Sequence, residues 1–210
     1  MPDKEENIIL DFFYRYLLGL FFFSLFHLFF KIRISGLENV PKDSNFILAS
    51  NHRSFMDGPL IGYLLSPRVI HWIIARWVYE KWIFKPFCFI SRCVAVGGSS
   101  LTAEKVLNRG GIIGIFPEGG VCCDRYIKSG HKGVAVLALK TGVPVLPCYV
   151  DGTFNSRRKP ILSARLFTTV RVIIGKPVRF DKITCSRVPA EAIEKTLPEI
   201  IAAINNLSPA

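Results

Sequence analysis

The chain has 210 residues, of which 50% are hydrophobic and 20% charged, a formal net charge of +11 at pH 7 and a mean hydropathy of +0.34. That length allows one domain with a sizeable core and is short for two, and that composition excludes a disordered chain. The charge is unevenly placed: residues 1–30 hold eight of the 17 Phe and a formal −2, whereas residues 31–210 carry 25 Lys and Arg against 12 Asp and Glu, or +13. A body so basic suits nucleic acid, an anionic lipid surface, or a phosphorylated or acidic substrate.

From Ile8 to Phe30 the sequence reads IILDFFYRYLLGLFFFSLFHLFF. The uncharged run from Tyr16 to Phe30 is shorter than the roughly 20 residues a perpendicular span needs. Asp11 and Arg15 stand at i, i+4, and Ser24, His27 and Lys31 at i, i+3, i+7, two short polar stripes on either side of Gly19. The pattern predicts a hydrophobic helix or helix pair over residues 1–30 that contacts the membrane, ahead of a second unit over 31–210. A first core helix of a soluble domain is the plainer alternative, and ten aromatic residues in thirty weigh against it. A cleaved signal peptide is disfavoured by the acidic residues ahead of the apolar run and by the missing small-x-small site. Lys31, Arg33 and Lys42 follow the run, so the positive-inside tendency predicts a membrane-associated protein with its body on the cytoplasmic side. The six Cys show no paired CxxC spacing, which reads as thiols in a reducing compartment, with no metal site.

Beyond the head, strand-like runs at 31–36, 44–50, 69–75, 93–98, 111–117, 143–150 and 165–175 are interleaved with helical stretches at 57–65, 77–84, 102–107, 133–141 and 191–205. Short apolar strands alternating with helices predict an α/β fold, a single layered domain with a mostly parallel central sheet flanked by helices.

Chemistry shows at two strand ends, where ligands gather in α/β sheets. The first is Ser50-Asn51-His52-Arg53-Ser54-Phe55-Met56-Asp57. A five-residue spacing separates His52 and Asp57 on one continuous helix face, but a turn that delivers Asp57 to the start of the next helix brings them together. The carboxylate then fixes the imidazole tautomer and raises the basicity of the other nitrogen, a pair able to take a proton from a hydroxyl. Alone, His-x4-Asp is more often a loop histidine and a helix cap. The second is Gly110-Gly111-Ile112-Ile113-Gly114-Ile115-Phe116-Pro117-Glu118-Gly119-Gly120, an apolar strand emptying into a turn with one acid. Its glycines admit a ligand close to the backbone and Glu118 offers an acceptor for substrate hydroxyls, or the segment is simply a tight turn. Arg125, Lys128, His131 and Lys132 follow as candidates for gripping phosphate, within a stretch from Val121 to Lys182 that has 12 basic residues against three acidic. No G-x-S-x-G elbow and no P-loop occurs.

In order and spacing these motifs resemble the glycerolipid acyltransferases, closest to the lysophosphatidic acid (1-acylglycerol-3-phosphate) acyltransferase branch. The resemblance runs from about Ile34 to Phe180 and rests on Asn51-His52-x-Ser54-x-x-Asp57, on Phe116-Pro117-Glu118-Gly119, on the run from Lys132 through Leu137-Ala138 to Val143–Pro147, and on Ile173–Pro177. It implies that His52, paired with Asp57, deprotonates the acceptor hydroxyl for attack on the thioester of acyl-CoA or acyl-carrier protein, with no metal, no cofactor and no acyl-enzyme. It also implies that Glu118 and Gly119 line the acceptor site and that the N-terminal helices dock on the bilayer. The family's arginines in the second and third blocks are missing here, their regions reading Cys93-Val94-Ala95-Val96-Gly97-Gly98 and Gly119-Gly120-Val121-Cys122. A buried phosphate needs a cation, so Arg53, Arg92, Arg125 or Lys132 substitutes, or the acceptor is not a phosphomonoester. The competing acceptors are glycerol 3-phosphate, another lysophospholipid and a non-phosphate lipid alcohol or amine. A non-catalytic membrane-surface protein that keeps the fold is the remaining alternative, against which both His52 and Asp57 are retained. With no zinc finger, RNP-like block or basic helix, no nucleic-acid partner is expected.

Overall fold

The computed structural model describes residues 24, 27–85, 88, 92–95, 99–153, 168–185 and 187–209. In chain order its elements are β1 (Phe30–Ser35), β2 (Ile47–Ser50), α1 (Asp57–Leu64), β3 (Ile70–Ile74), α2 (Arg76–Glu80), β4 (Val94–Ala95), α3 (Ser99–Asn108), β5 (Ile112–Ile115), α4 (Gly133–Thr141), β6 (Val145–Asp151), β7 (Thr168–Ile174) and α5 (Ala190–Asn205), with 3-10 turns at Leu37–Asn39 and Trp82–Phe84.

The strands join into one seven-stranded sheet in the order β1-β7-β6-β2-β5-β3-β4. Composition decides who sits where. β2 and β5 are buried at every position and β6 at all but its last, because unbroken apolar runs can be covered on both faces. β1, in which exposed and half-buried positions alternate after Phe30, and β7, in which buried and more open positions alternate, take the side of the sheet that includes an edge. Side chains leave a strand on alternate faces, so Leu48 joins Phe46, Leu60, Ile61 and Trp72 beneath α1, whereas Ile47 and Ala49 join Ala103, Val134, Ala135, Leu137 and Ile200 beneath α3, α4 and α5. The result is three layers. Thr196, Ile200 and Ile204 form the buried stripe of α5 at four-residue spacing, and each isoleucine so covered contributes about 1.5–3 kcal/mol of apolar burial.

Every neighbouring pair is parallel except β6 and β7. That single reversal turns β7, and β1 beside it, against the other strands. The start of β1 at Phe30 therefore lies on the same rim of the sheet as the ends of β2, β3 and β5.

The predicted helix over 77–84 is split. α2 ends at Glu80, Lys81 is extended (φ −72°, ψ 125°), and a 3-10 turn follows. Trp77, Tyr79 and Trp82 are all exposed, so no buried stripe holds a longer helix together. The membrane-contacting segment expected over residues 1–30 lies outside the described residues apart from Ser24 and His27–Phe30; His27–Phe29 are helical and Phe30 already opens β1. No helix among the described residues is long and apolar enough to cross a membrane.

Candidate active site

β2 ends at Ser50, and the next residue locks the strand to its neighbour: the Asn51 amide donates to the Val150 carbonyl at 2.9 Å and accepts the Val150 N–H at 2.7 Å. The chain then turns. The Ser54 carbonyl accepts the Asp57 N–H at 3.0 Å and the Ser54 hydroxyl accepts the Met56 N–H at 3.2 Å, which places Asp57 as the first residue of α1. From there a single carboxylate oxygen, Asp57 Oδ2, accepts the N–H groups of Arg53 and Ser54, each at 2.7 Å, and meets His52 Nδ1 at 3.2 Å. Asp57 is fully buried, and its charge is held by two main-chain donors and by its place in the first turn of a helix. With Nδ1–H donated to Asp57, the lone pair of His52 lies on Nε2.

β5 runs beside β2 and its end completes the site. The Phe116 ring stacks on the His52 imidazole at 3.9 Å and 12°, and Trp72 stacks on the far side of Phe116 at 4.9 Å and 8°. This column fits because Gly114 lies opposite Trp72 in the β3–β5 register; a Cβ at 114 would stand 2.5 Å from Trp72 Cε3. Glu118 Oε2 accepts the His52 N–H at 2.6 Å and the Cys122 N–H donates to the His52 carbonyl at 2.7 Å. The main chain of His52 is thus gripped on both sides by one loop. Burial raises the Glu118 carboxyl above its usual range, opposed by the His52 N–H bond and by a bond from the Cys122 thiol. Gly119 has φ +72°, and the His131 ring closes over it so tightly that a Cβ would lie 2.4 Å from His131 Cδ2.

Of the residues singled out by sequence, His52, Asp57, Glu118 and Gly119 come together. Arg53 stands beside them, its guanidinium 3.4 Å from the Cys123 carbonyl and 4.0 Å from Asp151 Oδ1. Lys132 is exposed at the start of α4, one residue after His131. Arg125 is placed elsewhere: its Nε donates to the Ser208 hydroxyl at 3.1 Å and its guanidinium lies over the Tyr126 ring, which ties it to the end of the chain beyond α5. Sequence reasoning missed Trp72, Cys122 and the ring role of Phe116. A glycine inside the apolar run of β5 was the available signal that a large side chain approaches there. Among the described residues no group of three His, Cys, Asp or Glu converges to hold a metal ion.

A three-layer α/β domain presenting, at its strand-end rim, an imidazole oriented by a buried carboxylate has the equipment of a general-base enzyme. Known proteins narrow the class. The Acyltransferase family model matches residues 31–151. The chain is 32% identical over 184 residues to a 1-acyl-sn-glycerol-3-phosphate acyltransferase of Borreliella burgdorferi, covering 81% of this chain and 73% of that one. It is 28% identical to the chloroplastic enzyme LPAT1 of Arabidopsis thaliana, covering 79% of this chain and 49% of that one, so it spans about half that relative's length. The crystal structure of the 1-acyl-sn-glycerophosphate acyltransferase PlsC from Thermotoga maritima superposes with a TM-score of 0.73 at 26% identity, over 100% of this chain and 85% of that one. The chain belongs to the acyltransferase family.

Proposed function

We propose that this acyltransferase moves a fatty acyl group from acyl-CoA or acyl-carrier protein to the free hydroxyl of 1-acylglycerol 3-phosphate, giving phosphatidic acid for phospholipid biosynthesis. The observation that carries it is the His52–Asp57 pair, with Nδ1 held at 3.2 Å from the buried carboxylate. The relatives named for this acceptor supply the substrate class. His52 Nε2 takes the hydroxyl proton as the oxygen attacks the thioester carbonyl. The tetrahedral intermediate collapses, the C–S bond breaks, and the proton on His52 passes to the departing thiolate. Asp57 stabilises the imidazolium between the two transfers. No cofactor and no acyl-enzyme enter this sequence.

Glu118 and Gly119 shape the acceptor side, and Arg53 and Lys132 answer its phosphate in place of the family arginines missing near Cys93 and Val121. The enzyme works at the membrane, its residues 1–30 in contact with the bilayer and its catalytic domain on the cytoplasmic side.

Release of free thiol, measured with lysophosphatidic acid as acceptor, tests the mechanism. His52→Ala should lower turnover by several orders of magnitude, and near-normal turnover would sink it. The absent arginines favour a second reading, acylation of another acceptor. Glycerol 3-phosphate, other lysophospholipids and non-phosphate lipid alcohols in the same assay separate the two.

A further inference from the structure

Apart from the N-terminal segment, we infer that the stretch from Arg76 to Lys85 is a second membrane-docking surface, which seats the catalytic rim on anionic lipid. The inference deepens the proposed function and rests on its membrane-borne acceptor. The stretch leaves β3 at the rim where His52 emerges and reads RWVYEKWIFK. Trp77, Tyr79 and Trp82 are 52%, 45% and 80% exposed. Soluble proteins rarely leave three such rings exposed within six residues of chain, and Trp and Tyr settle at the headgroup level of bilayers.

The charges suit the same partner. Arg76 is matched by Glu80 at 3.0 Å, leaving Lys81 and Lys85 as the net charge of the stretch. The Lys81 ammonium lies over the Trp77 ring, 5.1 Å from its centre, so cation and indole share one level, as interfacial anchors do. A second copy of the chain would bring like charges face to face. An acidic protein would answer the lysines and leave the rings without a headgroup layer.

The surface is also continuous with the site. Trp77 meets the Phe55 ring edge-on at 6.4 Å, Phe84 stacks on Phe55 at 5.9 Å, and Phe55 meets His52 edge-on at 6.2 Å. A bilayer touching Trp77 is separated from the imidazole by a single ring, a short path for a lipid hydroxyl.

The chain has three tryptophans, and Trp72 is 2% exposed, which makes the test internal. Full-length protein is mixed with phosphatidylglycerol–phosphatidylcholine vesicles whose acyl chains are brominated near the headgroup. Wild-type emission should shift blue and be quenched. Trp77→Phe and Trp82→Phe should each retain part of the quenching, and W77F/W82F, with only Trp72 left, should show none while its circular dichroism melt stays that of the wild type. Lys81→Ala and Lys85→Ala should each weaken vesicle partitioning about fivefold. The inference is overturned if the protein sediments with vesicles but Trp77 and Trp82 stay unquenched, if it does not sediment, if the lysine variants partition normally, or if the patch instead drives self-association or carrier-protein binding. The readout needs no turnover, so a wrong acceptor would leave it intact.

Discussion

Replacing Asp57 by Asn tests the catalytic pair most directly, because it removes a charge and keeps a shape. The asparagine oxygen can occupy the place of Oδ2 and still accept from Arg53 N–H, Ser54 N–H and His52 Nδ1. What disappears is the attraction between carboxylate and imidazolium. At 3.2 Å and an effective dielectric of about 20, that attraction is about 5 kcal/mol. It acts only once His52 has taken the proton, so it lowers the barrier and leaves substrate binding alone. At 1.36 kcal/mol per decade, a loss of about 5 × 10³-fold in kcat with little change in KM is expected. The amide nitrogen falls where Oδ1 lies buried without a protein partner, which costs about 1–3 kcal/mol of stability. Initial rates of thiol release should therefore be read well below the melting temperature of the variant, with circular dichroism as the control for folding. A folded D57N enzyme within tenfold of wild-type kcat would refute the role given to the pair.

Glu118→Gln probes the clamp on His52 through pH. Burial raises the Glu118 carboxyl above its ordinary 4.5. A folded-state value above the unfolded one contributes stability that is complete below the unfolded value and is lost as pH rises through the folded one. Wild-type melting temperature should thus fall relative to that of E118Q as pH climbs from about 4.5; a difference independent of pH, or of opposite slope, contradicts the assignment. Gly114→Ala tests the ring column. Its Cβ would lie 2.5 Å from Trp72 Cε3 and 2.7 Å from Ile70 Cγ2, an overpacking worth about 1–3 kcal/mol. A drop of about 2–12 °C in melting temperature should follow for a chain of this size, and an unchanged melt would mean that Trp72 does not face Gly114.

The layered fold was legible because its signals are local. Short apolar runs alternating with helical stretches marked a layered, mostly parallel sheet, though not which strands lie at its centre. The five-residue spacing of His52 and Asp57 was legible for a related reason: a strand, a turn and a helix start follow one another without interruption. Glu118 was different. Sequence offered its carboxylate to an acceptor hydroxyl and gave no sign that it also holds the His52 N–H, a contact created by β2 and β5 lying side by side. Adjacency between strands so far apart in the chain leaves no spacing to read. The stacking of Trp72 on Phe116 depends on the same sheet order, through β3 and β5. The reversal at β6–β7 was hidden too, because a buried strand has the same pattern in either direction.

The pairing of Phe30 with Thr168 also governs when the protein can finish folding. Among the described residues β1 is hydrogen-bonded to β7 alone, and β7 is the last of the described strands in chain order. Until β7 is made, therefore, β1 lacks its described partner, while strands made after it pair with one another. Closing so long a loop is slow, and an unpaired edge is open to aggregation in the meantime. Slow refolding of the detached chain should follow, with β1 among the last elements to gain protection from hydrogen exchange.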